Sequence, residues 1–346
     1  MCIRDRLNQG VDRLALSCLM DINEKGEIIK HSIEESVINV DRRMSYTSVH
    51  KIVELEDEEE REEYKDLIPM FELMYELADI LRERRFKRGS IDFDFPESKI
   101  TLDEKGKPVE IKEYERNNAN RIIEEFMLAA NQTVAEEYFW QELPFVYRVH
   151  EEPDEEKINQ LGVFIENFGY TLKVNSDGEI HPKEIQKLIK SVEGKPEEAL
   201  ISRLALRSMK QAKYSPENLG HFGLSAKYYC HFTSPIRRYP DLQIHRIIKE
   251  HLHGTLSKSR QEHYEHILPS VCDSSSKLER RADEAERETD KLKKAQYMRR
   301  HIGDIYEGVI SGVTAYGFYV ELTNTVEGLV RAANLDDDYY IYDQEH

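Results

Sequence analysis

The chemistry on offer in this chain is concentrated in the run His231-Phe232-Thr233-Ser234-Pro235-Ile236-Arg237-Arg238-Tyr239-Pro240-Asp241. Two guanidinium groups, Arg237 and Arg238, stand beside a Ser-Pro step in a protein that is otherwise strongly acidic. Ser followed by Pro predicts a helix start, with Ser234 as N-cap and Pro235 at the first helical position. Pro240 then restarts or kinks that helix, because an interior proline loses a hydrogen bond and clashes with the preceding turn. Beyond it Ile244, Ile247, Ile248 and Leu252 recur at helical spacing. Helix-end amides together with Arg forks suit a phosphate group, which Arg binds bidentately. The competing reading is an ion pair of these arginines with Asp241 or Glu250. His221, His231 and His245 follow no metal-ligand spacing, so packed or hydrogen-bonded histidines are expected there. The run Asp336-Asp337-Asp338 reads as a solvated loop.

These residues need a scaffold, and the chain is long enough to build one. Its 346 residues allow one large domain or two ordinary ones. Hydrophobic residues at 39% and charged residues at 34% describe a charge-rich globular protein. No apolar run approaches membrane-spanning length and no N-terminal stretch resembles a signal peptide, so a cytoplasmic protein without membrane partners is expected. Cys2, Cys18, Cys230 and Cys272 have neither metal-site nor disulfide-scaffold spacing, which predicts reduced thiols. The formal charge of −18 taken alone argues against nucleic acid. It does not decide the matter, since the field inside a groove governs binding. Much of the acidic excess lies in runs at 54–63 and 151–156, which read as solvated faces.

Residues 13–40 read as a two-stranded unit turning at Gly26. A long helix is predicted over 57–86, with Leu67, Met70, Phe71, Met74, Leu77, Ala78 and Leu81 on one face. A hairpin follows, with strands at 91–95, 100–102 and 109–114. A helix over 118–138 carries Ile122, Ile123, Phe126, Met127, Ala130 and Val134. Shorter helices are expected near 154–168, 182–193 and 196–209, and a long charged one over 275–300. At Gly303 the texture changes to strands at 304–313, 316–322 and 325–330, with Gly308, Gly312, Gly317 and Gly328 at bends or bulges. This is a β module that ends before a five-stranded barrel could close.

Four segments carry a resemblance. The run from His221 through HFTSPIRRYPDL, residues 117–131 (NNANRIIEEFMLAAN) and residues 279–290 (ERRADEAERETD) resemble the RNB family of 3′→5′ exoribonucleases. Residues 303–322 (GDIYEGVISGVTAYGFYVEL) are similar to the start of an S1 domain, an OB-fold RNA binder. The resemblance implies an α/β (α+β) portion of the RNB catalytic domain over 7–300, then part of an all-β S1 domain over 303–346. Residues 1–6 match nothing in the family and read as a non-native leader.

The function so implied is hydrolysis of single-stranded RNA from its 3′ end to 5′-nucleotides with Mg²⁺. The family holds that metal on an aspartate cluster upstream of any segment here, so the expectation is a chain without metal ligands and without activity of its own. The alternative is a non-catalytic RNA-binding or scaffold protein that keeps the RNA channel. The resemblance gives Arg237 the phosphate beside the scissile bond, as a catalytic residue, with Arg238 as a neighbouring RNA contact. Glu124 and Tyr46 match the positions that recognise a ribose 2′-hydroxyl. Phe93 (or Phe95) matches the aromatic that clamps the last base, and Glu286 matches an RNA-end contact. In the S1-like module Tyr316 and Phe318 alternate with Gly317, so they are expected to share one strand face and stack bases.

Overall fold

The computed structural model describes residues 7–92, 97–114, 116–175, 178–336, 338 and 340–342. In chain order the elements are β1 (Asp12–Ile22), β2 (Ile28–Asn39), α1 (Tyr46–Val53), α2 (Glu58–Glu63) and α3 (Ile68–Arg88). Next come β3 (Glu97–Leu102), β4 (Pro108–Tyr114), α4 (Asn118–Trp140), β5 (Tyr147–Val149), α5 (Glu155–Glu166), α6 (Pro182–Val192) and α7 (Glu198–Ser208). The last are β6 (Lys213–Ser215), α8 (Tyr239–Leu252), α9 (Lys258–Met298), β7 (Gly308–Thr314), β8 (Gly317–Leu322) and β9 (Glu327–Arg331). Helices and strands are thus mixed up to α9, and the remainder is β.

The chain divides into two compact units. One comprises residues 1–90, 116–151 and 211–277. Its core joins α4, β5, β6, α8 and the first half of α9. Val134, Tyr138, Phe145, Val149, Ile244, Ile247, Ile248 and Leu268 are all within 1% of full burial. Tyr138 stacks on Phe145 with centroids 4.8 Å apart. Burying such side chains contributes about 1.5–3 kcal/mol each, which fixes α8 and hence the arginine run that precedes it. Leu252 ends the expected apolar stripe of α8 but is 41% exposed, since it falls at the helix's last residue. The β1–β2 hairpin pairs antiparallel over its whole length, from Asp12 opposite Asn39 to Ile22 opposite Ile28.

The helix expected over 57–86 is two helices, α2 and α3. Tyr64 closes α2, and Pro69 sits in the first turn of α3, where its missing N–H is not needed. Gly89 ends α3 at φ 112°, a left-handed conformation that glycine adopts without a Cβ penalty. The short α1 was not anticipated. Ser45 caps it by accepting from the Ser48 amide at 3.0 Å.

The other unit comprises 91–115, 152–210 and 278–346. There α5, α6 and α7 bury Ile158, Leu161, Ile165, Ile185, Leu188, Val192, Ile201 and Ala205 against one another. The β3–β4 hairpin runs from Glu97 opposite Tyr114 to Leu102 opposite Pro108. The last three strands form an antiparallel meander in the order β7-β8-β9. A register shift between Ile310 and Gly312 bulges β7. At Gly317, with φ 147°, a Cβ would lie 2.1 Å from the Val330 carbonyl oxygen, so only glycine fits. The long helix α9 begins at Lys258 and not near 275, running through Pro269. No helix among the described residues is long and apolar enough to cross a membrane.

Candidate RNA-binding site

The arginine run forms a closed turn and not the first turn of a helix. Ser234 does not cap α8: Arg238 occupies the N-cap position, and Pro240 lies in the first helical turn. A helix started at Pro235 would need an N–H from residue 240 to continue, and Pro240 has none. The Ser234 carbonyl accepts from the Arg237 and Arg238 amides at 3.3 and 3.1 Å. The Ser234 amide donates to Asp241 Oδ1 at 2.7 Å. Asp241 is completely buried, and the same Oδ1 accepts from Arg238 Nη2 at 2.7 Å and Nε at 3.2 Å. The two arginines therefore separate. Arg238 turns inward, with 18% of its side chain exposed. Arg237 is exposed and has no ion pair among the described residues.

Behind this turn the loop is held by buried polar side chains. Asn131 of α4 accepts from the Phe232 amide at 2.9 Å through Oδ1, and its carbonyl accepts from Cys230 Sγ at 3.2 Å. His245 of α8 donates from Nε2 to the Phe232 carbonyl at 2.8 Å, which fixes its tautomer. Tyr214 Oη meets His231 Nδ1 at 3.0 Å. Rings continue in edge contact from His231 to Tyr229 at 5.6 Å, then to His221 at 5.2 Å and His150 at 5.1 Å. Burial pushes the His221 imidazole down to about 3, reinforced by neighbouring His150 and Arg148. Burial pushes His231 down to about 2, with Arg238 next in importance. Both rings are neutral near pH 7. His221 Nδ1 accepts from the Leu224 amide at 3.2 Å, a bond that a protonated nitrogen could not make.

Tyr46 is the first residue of α1 and is 46% exposed. Glu124 lies on α4, which packs against α1, and is paired with Arg116. The two residues thus occupy neighbouring helices, with no direct bond between them among the described residues. Glu125, one position on, turns into the core. It is 4% exposed and accepts from Arg85 of α3 at 2.6 and 3.1 Å, while Arg85 Nη1 donates to Ser90 Oγ at 2.8 Å. Sequence reasoning missed this pair, because two consecutive glutamates give no sign of which one is buried. Phe93 and Phe95 lie outside the described residues.

In the second unit Glu286 is exposed on α9. Tyr316 and Phe318 do not share a strand face as a simple alternation. Tyr316 precedes β8, and the unusual backbone at Gly317 breaks the two-residue period. The Tyr316 hydroxyl instead lies 3.4 Å from that of Tyr319. Tyr319 is the aromatic that the alternation argument overlooked.

The described residues contain no group of three or more His, Cys, Asp or Glu arranged to hold a metal. They do not fit Mg²⁺. Asp336 and Asp338 are exposed, and Asp337 lies outside the described residues.

The RNB domain profile matches residues 4–254, and the S1 RNA binding domain profile matches residues 300–346. The chain belongs to the RNB family. Among its RNB relatives, ribonuclease R 1 of Lactococcus lactis is 44% identical over 98% of this chain and 41% of its own length. Ribonuclease R of Aquifex aeolicus is also 44% identical, over 98% of this chain and 47% of its own length. The chain therefore spans less than half the length of these two RNB proteins. The structure of Mycoplasma genitalium RNase R in complex with ribose methylated single-stranded RNA superposes with a TM-score of 0.90 at 27% identity. That match covers 98% of this chain and 53% of the other.

Proposed function

We propose that this chain holds the 3′ end of single-stranded RNA as part of a 3′→5′ exoribonuclease of the RNB type. The observation that carries the reading is Arg237: an exposed guanidinium with no carboxylate partner among the described residues, displayed on a hydrogen-bonded turn in a chain of net charge −18. A cation left unpaired among so many acids is suited to a phosphate. In this reading residues 7–300 carry the RNA channel and residues 303–346 the S1 contact. Glu124 accepts from a ribose 2′-hydroxyl and Tyr46, on the neighbouring helix, assists it, since contact with the 2′-hydroxyl lets a protein distinguish RNA from DNA. Phe93 clamps the terminal base, Glu286 touches the RNA end, and Tyr316 and Phe318 stack bases, with Tyr319 joining Tyr316.

Hydrolysis in such an enzyme uses Mg²⁺, whose carboxylate ligands the described residues do not supply. The 346-residue chain is accordingly proposed to bind RNA without releasing nucleotides. The test is a titration of the chain with a labelled single-stranded RNA, and with the same sequence carrying 2′-deoxy residues at its last positions. A parallel incubation of the all-RNA strand with Mg²⁺ is run on a sequencing gel. Tighter binding of the all-ribose strand with no ladder is expected. Equal affinity for both strands overturns the 2′-hydroxyl role, and a ladder shortening from the 3′ end overturns the inactivity.

A further inference from the structure

We propose that Asp241 is a positioning residue that removes Arg238 from the RNA surface so that Arg237 alone is presented to phosphate. This rests on the phosphate role proposed above for Arg237. The sequence puts two identical cations side by side, yet the structure gives them opposite environments. Asp241 is fully buried and spends one carboxylate oxygen on three donors: the Ser234 amide and both Nη2 and Nε of Arg238. The first bond closes the loop from residue 234 to residue 241, and the other two anchor residue 238 to the same point. Two more bonds, from the Arg237 and Arg238 amides to the Ser234 carbonyl, complete the turn. Between residues 234 and 238 the exposed side chains are Ile236 and Arg237, and Arg237 is the charged one. Its backbone is held on both sides, so its guanidinium starts from a restricted volume and less freedom is lost when a phosphate binds.

A buried ion pair is weak support for stability, since the desolvation of both partners offsets their attraction. Its contribution here is geometric. The other oxygen, Asp241 Oδ2, is buried with no hydrogen-bond partner among the described residues. Asp241→Asn can therefore place its amide where no contact is lost, while its neutral Oδ1 holds Arg238 and the Ser234 amide more weakly than the carboxylate does. The substitution removes charge from the anchor with little change of shape.

The experiment measures affinity of the 346-residue chain for a fluorescein-labelled single-stranded RNA at low salt. The proteins are wild type, Arg237→Ala, Asp241→Asn and the double variant, each first shown by circular dichroism to be folded. Arg237→Ala is expected to bind about tenfold more weakly, as for loss of one charged hydrogen-bonding contact. Asp241→Asn is expected to weaken binding to a comparable degree, and the double variant to bind no more weakly than Arg237→Ala. That epistasis separates positioning from a general loss of structure, which would weaken both backgrounds alike. Should Asp241→Asn fail to fold, Arg238→Met carries the same test from the other partner, keeping the buried stem and removing the charge. A further tenfold loss on adding either change to Arg237→Ala overturns the proposal, as does wild-type affinity in Asp241→Asn. Wild-type affinity in Arg237→Ala itself overturns the phosphate role, and with it the positioning role.

Discussion

His221 and His231 lie in the ring column behind the arginine turn, and their neutrality makes the turn sensitive to acid. Their folded values lie near 3 and 2, against about 6.5 for an unperturbed imidazole. Below pH ~6.5 the unfolded chain takes up protons that the folded chain refuses, so stability rises with pH in that range. Their contribution is complete above about pH 6.5 and is lost as pH falls toward 3. Each ring costs about 1.4 kcal/mol per pH unit within that window. Urea midpoints measured between pH 7 and pH 5 are expected to fall steeply for wild type and less steeply for His231→Gln. The glutamine removes the titrating ring and keeps an acceptor for Tyr214. Identical slopes for the two proteins would show that His231 is not one of the groups responsible.

At the scale of elements, α3 and α4 are joined by the buried Arg85–Glu125 pair, whereas Glu124 pairs with Arg116 at the surface. Removing one partner of a buried pair strands a charge and costs about 3–5 kcal/mol, while an exposed pair is worth about 0–1 kcal/mol. Glu125→Ala is therefore expected to lower unfolding free energy severely and Glu124→Ala hardly at all, as read from chemical denaturation. Equal losses at both positions would refute this assignment of the two faces. The same helix shows what the sequence makes legible. Its apolar period locates α4 within two residues at its C-terminal end, and Asn117 marks its start with a capping box. The β1–β2 hairpin and the three helices α5, α6 and α7 are legible for the same reason, because turns and apolar periods are local signals. The start of α8 was legible only in part. Ser234-Pro235 is a valid cap signal, but Pro240 lacks the N–H that a helix from Pro235 needs, and the helix starts afresh around it. The buried Asp241 carboxylate that takes the Ser234 amide into a turn gives no local signal. Burial is likewise what separates Glu125 from Glu124 and Arg238 from Arg237. The pairing of Tyr316 with Tyr319 depends on the backbone at Gly317, which two-residue counting does not register.

At the scale of the whole chain, the net charge of −18 bears on how the proposed RNA binding should respond to salt. Among the described residues Arg61, Arg85, Arg116, Arg203, Arg238 and Arg260 each hold a carboxylate. Such arginines are neutralised locally and release no counterions from RNA. Arg237 has no ion pair among the described residues and stays available to phosphate, while the surrounding acids repel a polyanion beyond contact range. Binding should then rest on base stacking and hydroxyl recognition more than on phosphate neutralisation. For single strands the logarithm of affinity falls with the logarithm of salt by about 0.7 per phosphate neutralised. With about three such contacts the slope is roughly −2, so a fourfold rise in salt weakens binding about twentyfold. A protein making six to ten contacts to a single strand would lose roughly 300-fold to 10⁴-fold over the same range. Fluorescence anisotropy of a labelled RNA between 50 and 200 mM salt (concentrations on the order of those for which the rule holds) measures the slope directly. Arg237→Ala should make it shallower by about 0.7. A slope of roughly −5 or steeper would mean that neutralisation of many phosphates dominates binding, and the account of how an acidic chain holds a polyanion would fail.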